Sequence, residues 1–251
     1  MARDEALLDG ERAVLRRTAW RDPAVTIGRF QEWRLVELAG SPRAPVRRIT
    51  GGGAILHGDD LTLGLVAASP SPLFPDRAPE AIAARLSHAI ERALSPWVAG
   101  VHPRGGEFAE RAQRGVLDCF ARETPFDLVI DLTGGGTEKI AGLALHRRRG
   151  RVLIQASVRR AGRLLPAEDG QVLAAIADHL GATTAAIPDL DPGEEERSWR
   201  LIERRYASAR WNRRIREGAA GPDLGAGADP DGSDGAPPPS DGTADPAHPR
   251  G

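Results

Sequence analysis

Lysine and cysteine are almost missing from this chain of 251 residues, which holds one of each, Lys139 and Cys119. A lone cysteine forms no internal disulfide, so a disulfide-stapled secreted scaffold is excluded and a reducing, cytoplasmic compartment is expected. No stretch reaches the roughly 18 uninterrupted apolar residues of a membrane-spanning helix. The opening residues, Met1 to Leu8, carry no basic run leading into an apolar one, so neither a span nor a signal peptide is expected. His57, His88, His102, His146, His179 and His248 are scattered rather than clustered with other ligand-type residues, which predicts no metal site. With a formal net charge of −1, bulk electrostatics imply no nucleic acid or other polyanion as partner.

What is abundant is arginine: the 34 basic residues are 33 arginines and a single lysine. A guanidinium stays charged at any workable pH, whereas an ammonium on a flexible stem changes its pKa with burial and can give up a proton. A position that keeps lysine in such a chain is a candidate for chemistry that arginine cannot do. Cys119 stands twenty positions before Lys139. A thiol beside a positive charge is one way to make an activated nucleophile.

The pattern predicts a mixed α+β domain over residues 1–216, followed by a Gly/Ala/Asp/Pro-rich tail over 217–251. The tail has no aromatic residue and too little apolar surface to offset its ordering entropy, so disorder is expected there. Helix is expected from Ala2 to about Leu15, and strands over Ala24–Gly28, Val46–Ile49, Ala54–His57 and Leu61–Val66. Ile82, Leu86, Ile90 and Leu94 recur at helical spacing behind Pro79. Three strands follow, over Phe126–Ile130, Glu138–Leu145 and Arg151–Ser157. Helices through Val172, Leu173, Ile176 and Leu180, and through Trp199, Ile202, Tyr206 and Ala209, complete a layered sheet-and-helix architecture.

Arg47-Arg48-Ile49-Thr50-Gly51-Gly52-Gly53 is the most unusual stretch. Three glycines between two strands weaken both, and one reason to keep them is close approach of backbone N–H groups to a ligand. The two arginines upstream supply donors suited to an anionic group. Neither phosphate-loop signature is present. A second triplet, Gly134-Gly135-Gly136, sits between threonines and reads as a hairpin loop. Trp20, Trp33, Trp97 and Trp199 read as core or surface-covering aromatics. Arg147-Arg148-Arg149 reads as a solvated turn, with docking of an acidic partner as its functional alternative.

Taken together, these pieces resemble the lipoate–protein ligase and octanoyltransferase family, within the biotin–lipoate ligase superfamily. The resemblance runs from Met1 to about Arg214. Arg47 to His57 is similar to the family's Arg-Arg-x-Thr/Ser-Gly-Gly-Gly-x-x-x-His signature, Ile27-Gly28-Arg29-Phe30-Gln31 to its Gly-x-x-Gln strand end, and Lys139-Ile140-Ala141-Gly142 to its lysine motif. Tyr206-Ala207-Ser208-Ala209-Arg210-Trp211-Asn212 resembles its C-terminal segment. The resemblance implies a mixed sheet with packed helices and an acyl tunnel reached from the glycine loop and the lysine strand.

Two chemistries compete within that family: ATP-dependent ligases pass through an acyl-adenylate, and octanoyltransferases through a cysteine thioester. Cys119-Phe120, just ahead of the Phe126-Asp127-Leu128-Val129 strand, resembles the cysteine-dependent transferases, and the lack of an accessory C-terminal domain agrees. The resemblance then implies Cys119 and Lys139 as catalytic, and Arg48, Thr50, Gly51, Gly52, Gly53, His57 and Gly142 as substrate-binding. It implies octanoyl-acyl carrier protein as donor, lipoyl domains or the glycine-cleavage carrier as acceptor, a monomer, and no cofactor. A lipoate ligase using ATP and Mg, or an inactive carrier-binding homologue, are the alternatives. Leu143-Ala144 stands where the family usually has Ser-Ala, and Ala156 where it usually has glycine. The family's strand and loop before the first helix are also missing, so a late start or an incomplete sheet edge is expected.

Overall fold

The computed structural model describes residues 1–34, 44–106, 124–160, 162–164, 166–182 and 190–213. Cys119, Phe120 and the expected tail over 217–251 lie outside the described residues. In chain order the elements are α1 (Ala2–Leu8), β1 (Val14–Thr18), β2 (Ala24–Ile27), β3 (Val46–Arg47), β4 (Ile55–His57), β5 (Asp60–Ala68), α2 (Pro79–Leu94), β6 (His102–Pro103), β7 (Leu128–Asp131), β8 (Thr137–Arg148) and β9 (Arg151–Arg159). A short 3₁₀ turn (Pro166–Glu168) leads into α3 (Asp169–His179). Then come α4 (Pro192–Leu201), a π-helical turn (Ile202–Tyr206) and α5 (Ala209–Asn212).

Six strands form the main sheet in the order β1-β5-β9-β8-β7-β6, and β3-β2-β4 form a small second sheet. The pairings in the main sheet are antiparallel, and β2 pairs parallel with β3 but antiparallel with β4. The architecture is the expected α+β one. One boundary differs: helix gives way at Asp9-Gly10, and Val14 and Leu15 instead open β1. Gly10 N–H closes on the Leu7 carbonyl, a helix-ending bond, and β1 then pairs with β5 through Val14↔Val66 and Leu15↔Leu65.

The registers sort the main sheet into two faces, because side chains alternate along each strand. On one face Leu61, Leu63, Leu65, Ala156, Ile154 and Val158 pack with Ile82, Leu86, Ile90 and Leu94 of α2 and with Val172 and Ile176 of α3. Each fully buried Leu, Ile or Val among them contributes about 1.5–3 kcal/mol relative to its exposed state. On the opposite face the rows Gly142–Ser157–Thr62 and Ala144–Gln155–Gly64 are small or polar. That face is covered by α1 and the small sheet, and it carries the site. No helix among the described residues is long and apolar enough to cross a membrane.

Candidate active site

Lys139 and Gly142 are three residues apart, a spacing that sets side chains on opposite faces of a regular strand. A register shift between Leu128 and Val129 changes this: Val129 pairs with Lys139 and Leu128 with Ala141, so Ile140 is the extra residue of a bulge. The bulge turns the Lys139 side chain onto the polar face, beside Gly142. A Cβ on Gly142 would sit 3.0 Å from Lys139 Cε and 3.1 Å from Nζ, so the glycine leaves the space that the ammonium fills.

There Nζ meets Asp127 Oδ2 at 2.8 Å, with both side chains almost fully buried. The same carboxylate oxygen accepts the Thr124 N–H at 2.6 Å. Burial pushes the Asp127 carboxyl above the ordinary carboxylate range, an effect that the Lys139 ammonium and the Thr124 hydrogen bonds only partly offset.

The first glycine triplet lies between β3 and β4 and is held from three directions. Thr50, fully buried, donates to Gln155 Oε1 at 2.5 Å, and Gln155 in turn donates to Asp4 Oδ2 at 2.7 Å. Gln155 occupies the row next to Gly142–Ser157, so the loop base is anchored on the same face, one row along the sheet from the glycine beside Lys139. Arg48 Nη2 donates to the Gly51 and Gly53 carbonyls at 3.0 and 2.9 Å. Gly28 presses from the β2 side: a Cβ there would lie 1.9 Å from the Gly52 carbonyl oxygen, which no side chain survives. On its outer side Gly51 has nothing within 4 Å of a built Cβ.

The arginine pair, expected as donors to an anionic ligand, makes internal bonds in this structure. Arg47 is fully buried and donates to the carbonyls of Gly28, Arg29, Gln31, Trp211 and Asn212. Arg48 turns to Thr26 and the glycine loop. The reason is that loop carbonyls without strand partners need donors once buried. The C-terminal motif closes the same clamp, as Trp211 Nε1 donates to the Arg47 carbonyl and Asn212 Oδ1 accepts its N–H. Tyr206 donates to buried Glu5, which also takes Arg205 and Arg148. Burial, with Glu5 adjacent, raises the Tyr206 hydroxyl well above its ordinary value. Arg148 of the triple-arginine turn thus serves Glu5 and Asp9.

His57 is buried, stacked on Trp20 at 4.2 Å, with Nε2 2.7 Å from Thr26 Oγ1 and Nδ1 2.9 Å from Asp60 Oδ2. Asp60 also accepts from Thr62 and Ser157. Burial alone would raise the Asp60 carboxyl, but its hydrogen bonds and His57 hold it below the ordinary range.

The residues named from sequence therefore gather on one face, with Arg48, Thr50 and His57 turned inward, and Cys119 outside the described residues. Leu143 and Ala156, the two departures, pair with each other and face the α2/α3 core, away from Lys139. Asp127, Asp60, Thr26 and Gln155 were not singled out from sequence. Asp127 carried a signal: a carboxylate opening an apolar strand twelve positions before the lone lysine. A groove of about 580 Å³ lies elsewhere, between α1, β1 and α4, lined by Arg3, Arg16, Arg17, Trp199, Ile202 and Tyr206, and includes neither Lys139 nor the glycine loop.

The sequence profile of the lipoyl protein ligase A/B catalytic domain matches residues 1–169. The chain belongs to this family. Among curated members, octanoyltransferase LipM of Moorella thermoacetica is 31% identical over 167 residues, covering 63% of this chain and 59% of the relative. Octanoyltransferase LipM of Exiguobacterium sp. is 28% identical over 173 residues, covering 63% and 60%. The chain thus spans about three-fifths of the length of these relatives. The fold is that of solved lipoyl ligases. Ta0514, a putative lipoate protein ligase from T. acidophilum with bound lipoic acid, superposes with a TM-score of 0.65 at 21% identity, over 84% of this chain and 91% of that one. A lipoate-protein ligase A bound with ATP gives the same TM-score and identity, over 84% and 92%.

Proposed function

We propose that this member of the lipoyl protein ligase A/B family is a cytoplasmic octanoyltransferase. It would take octanoyl from acyl carrier protein onto Cys119 and pass it to a lysine of a lipoyl domain or of the glycine-cleavage carrier, without ATP or another cofactor. The observation that supports it is the buried Lys139–Asp127 pair beside Gly142, with Asp127 also holding Thr124. Thr124, bonded to the lysine's own partner, is five residues after Cys119 in the sequence.

The chemistry divides into two exchanges. The Cys119 thiolate attacks the thioester carbonyl; the C–S bond to the carrier breaks, and the carrier sulfur leaves as a thiolate that takes up the proton Cys119 had lost. An acceptor amine then attacks the acyl-enzyme, forming the amide, and Cys119 departs, to be reprotonated. A free thiol with a pKa of about 8.5 is mostly protonated at neutral pH, so the Lys139 ammonium would favour the thiolate. In the second exchange Lys139 would relay the proton lost by the attacking amine to the departing sulfur. The exposed side of the Gly51–Gly53 loop offers N–H groups to the acyl carbonyl.

The test is incubation with octanoyl-acyl carrier protein without ATP, with the intact mass followed. A mass increase of one octanoyl group on the wild-type chain, absent in Cys119→Ser, is expected. Lys139→Arg, which keeps the charge but cannot shuttle a proton, should slow transfer by at least about a hundredfold. Undiminished transfer by Cys119→Ser would overturn the covalent route, and lipoate-dependent ATP–pyrophosphate exchange would point to ligase chemistry instead.

A further inference from the structure

The hydrogens around His57 can be assigned from their partners. Nδ1 faces the Asp60 carboxylate at 2.9 Å, so Nδ1 carries a hydrogen. Thr26 Oγ1 receives Arg48 Nη1–H at 2.6 Å, and the acceptor that remains for its own single hydrogen is His57 Nε2 at 2.7 Å. Every donor therefore points one way along a buried line: Arg48 to Thr26, Thr26 to His57, His57 to Asp60. Around the ring, Trp20 stacks on one side, and Thr62 and Ser157 donate into Asp60. The side chains of His57 and Asp60 are 2% and 5% exposed, and Thr26 and Arg48 are likewise buried.

The Arg48 end of the line is what matters for the glycine loop. Arg48 uses Nη2 to hold the carbonyls of Gly51 and Gly53. Across a planar trans peptide the N–H of the next residue points opposite to the held carbonyl. Pinning the Gly51 carbonyl inward therefore turns the Gly52 N–H outward, at an exposed residue with a φ of 88°. Without a fixed guanidinium, that peptide plane in a glycine run is free to flip.

We infer that His57 and Asp60 are positioning residues for acyl recognition. Acting through Thr26 and Arg48, they set the direction of the Gly52 N–H rather than touching substrate. The inference rests on the proposed acyl-transfer function only for its kinetic consequence; the structural consequence is measurable on the protein alone.

Thr26 gives the discriminating substitutions. Thr26→Val keeps the volume and cuts the line, whereas Thr26→Ser loses a methyl and keeps the line. If packing alone mattered, serine would be the worse replacement; if the relay matters, valine is. Expected is about tenfold faster hydrogen–deuterium exchange over residues 50–54 in Thr26→Val, the loss of about one hydrogen bond. Octanoyl-transfer kcat should drop about tenfold to a hundredfold, with KM changed by less than about threefold. Thr26→Ser should stay within about twofold of wild type in both.

Should Thr26→Val not fold, His57→Phe keeps the stack on Trp20, removes both ring nitrogens and should show the same signature. Trp20→Phe should lower Tm without speeding loop exchange. Equal exchange in the valine and serine variants, or loop exchange unchanged in His57→Phe, overturns the relay. If the wild type transfers no octanoyl group at all, the proposed function fails, and loop exchange alone still decides the relay.

Discussion

The chain writes the same tripeptide twice, and the two copies do different work. Gly51-Gly52-Gly53 is wedged: Gly28 abuts the Gly52 carbonyl, Arg48 grips the carbonyls on either side of it, and Thr50 is anchored through Gln155 to Asp4. Gly134-Gly135-Gly136 is a bare hairpin tip with nothing within 4 Å of a built Cβ at any of the three positions. Gly135 and Gly136 adopt φ of 87° and 85°, and Leu132 and Gly136 close the turn by a backbone hydrogen bond of 3.0 Å. In the hairpin, glycine is needed for backbone conformation. At the wedged loop the crowding falls on Gly28, whose missing Cβ leaves room for the Gly52 carbonyl, while Gly52 itself adopts a φ of 88°.

The sharpest way to break the first triplet is to substitute its neighbour. Gly28→Ala drives a methyl into the Gly52 carbonyl, and a loss of about 3 kcal/mol is expected in urea unfolding, with the loop no longer formed at mild denaturant. A stability within 1 kcal/mol of wild type would mean, at this order of magnitude, that the two backbones separate easily.

Next in size is Gly142→Ala, which pushes on the Lys139 ammonium from 3.0–3.1 Å and away from Asp127. Octanoyl-transfer kcat should fall about tenfold to a hundredfold while Tm changes little, since the adjustment falls on one side-chain end. Steady-state kinetics beside a thermal melt separate the two effects.

Acid should distinguish the two triplets without any substitution. In the folded chain the Asp60 and Asp4 carboxyls titrate below their ordinary values. For Asp4, burial alone would raise the carboxyl, but the terminal amine, Arg16 and Gln155 outweigh it. Groups lowered on folding contribute stability that is present above the unfolded pKa of about 4 and lost as pH falls through the folded one. Hydrogen exchange over residues 50–54 should therefore accelerate below about pH 4 relative to residues 132–137, whose closing bonds do not titrate. Equal acceleration of both segments would remove the carboxylates from the account.

The smallest effects belong to the hairpin. Gly135→Ala, at positive φ, should cost about 1 kcal/mol, and Gly134→Ala, with open space, should stay within about 0.5 kcal/mol of wild type. Chemical unfolding of the pair measures both.

Much of this was legible beforehand where the signal is local. The stripe Ile82, Leu86, Ile90 and Leu94 behind Pro79 fixes one helix face, and the structure buries all four. The glycine motif and the lone lysine, singled out from the sequence, lie on one face of the main sheet. What escaped was long-range. Val14-Leu15 reads as the end of a helix until β5 is seen beside it. Asp127 is one carboxylate among 35 acidic residues until Lys139 is folded against it. The partners of His57, Thr26 and Asp60, are not evident in the sequence and appear only once the strands are folded together.

Residue types and periodicities indicated the alternation of strands and helices and the short set of groups able to do chemistry, and the order of the motifs carried the resemblance to the family, because propensity and motif spacing act over a few neighbouring positions. Only the folded chain decided which way those groups point. A one-residue bulge sends Lys139 to the polar face, and a buried line of donors turns Arg48 inward. Direction depends on register and on partners that pair across strands, and neither is written in any single stretch of chain.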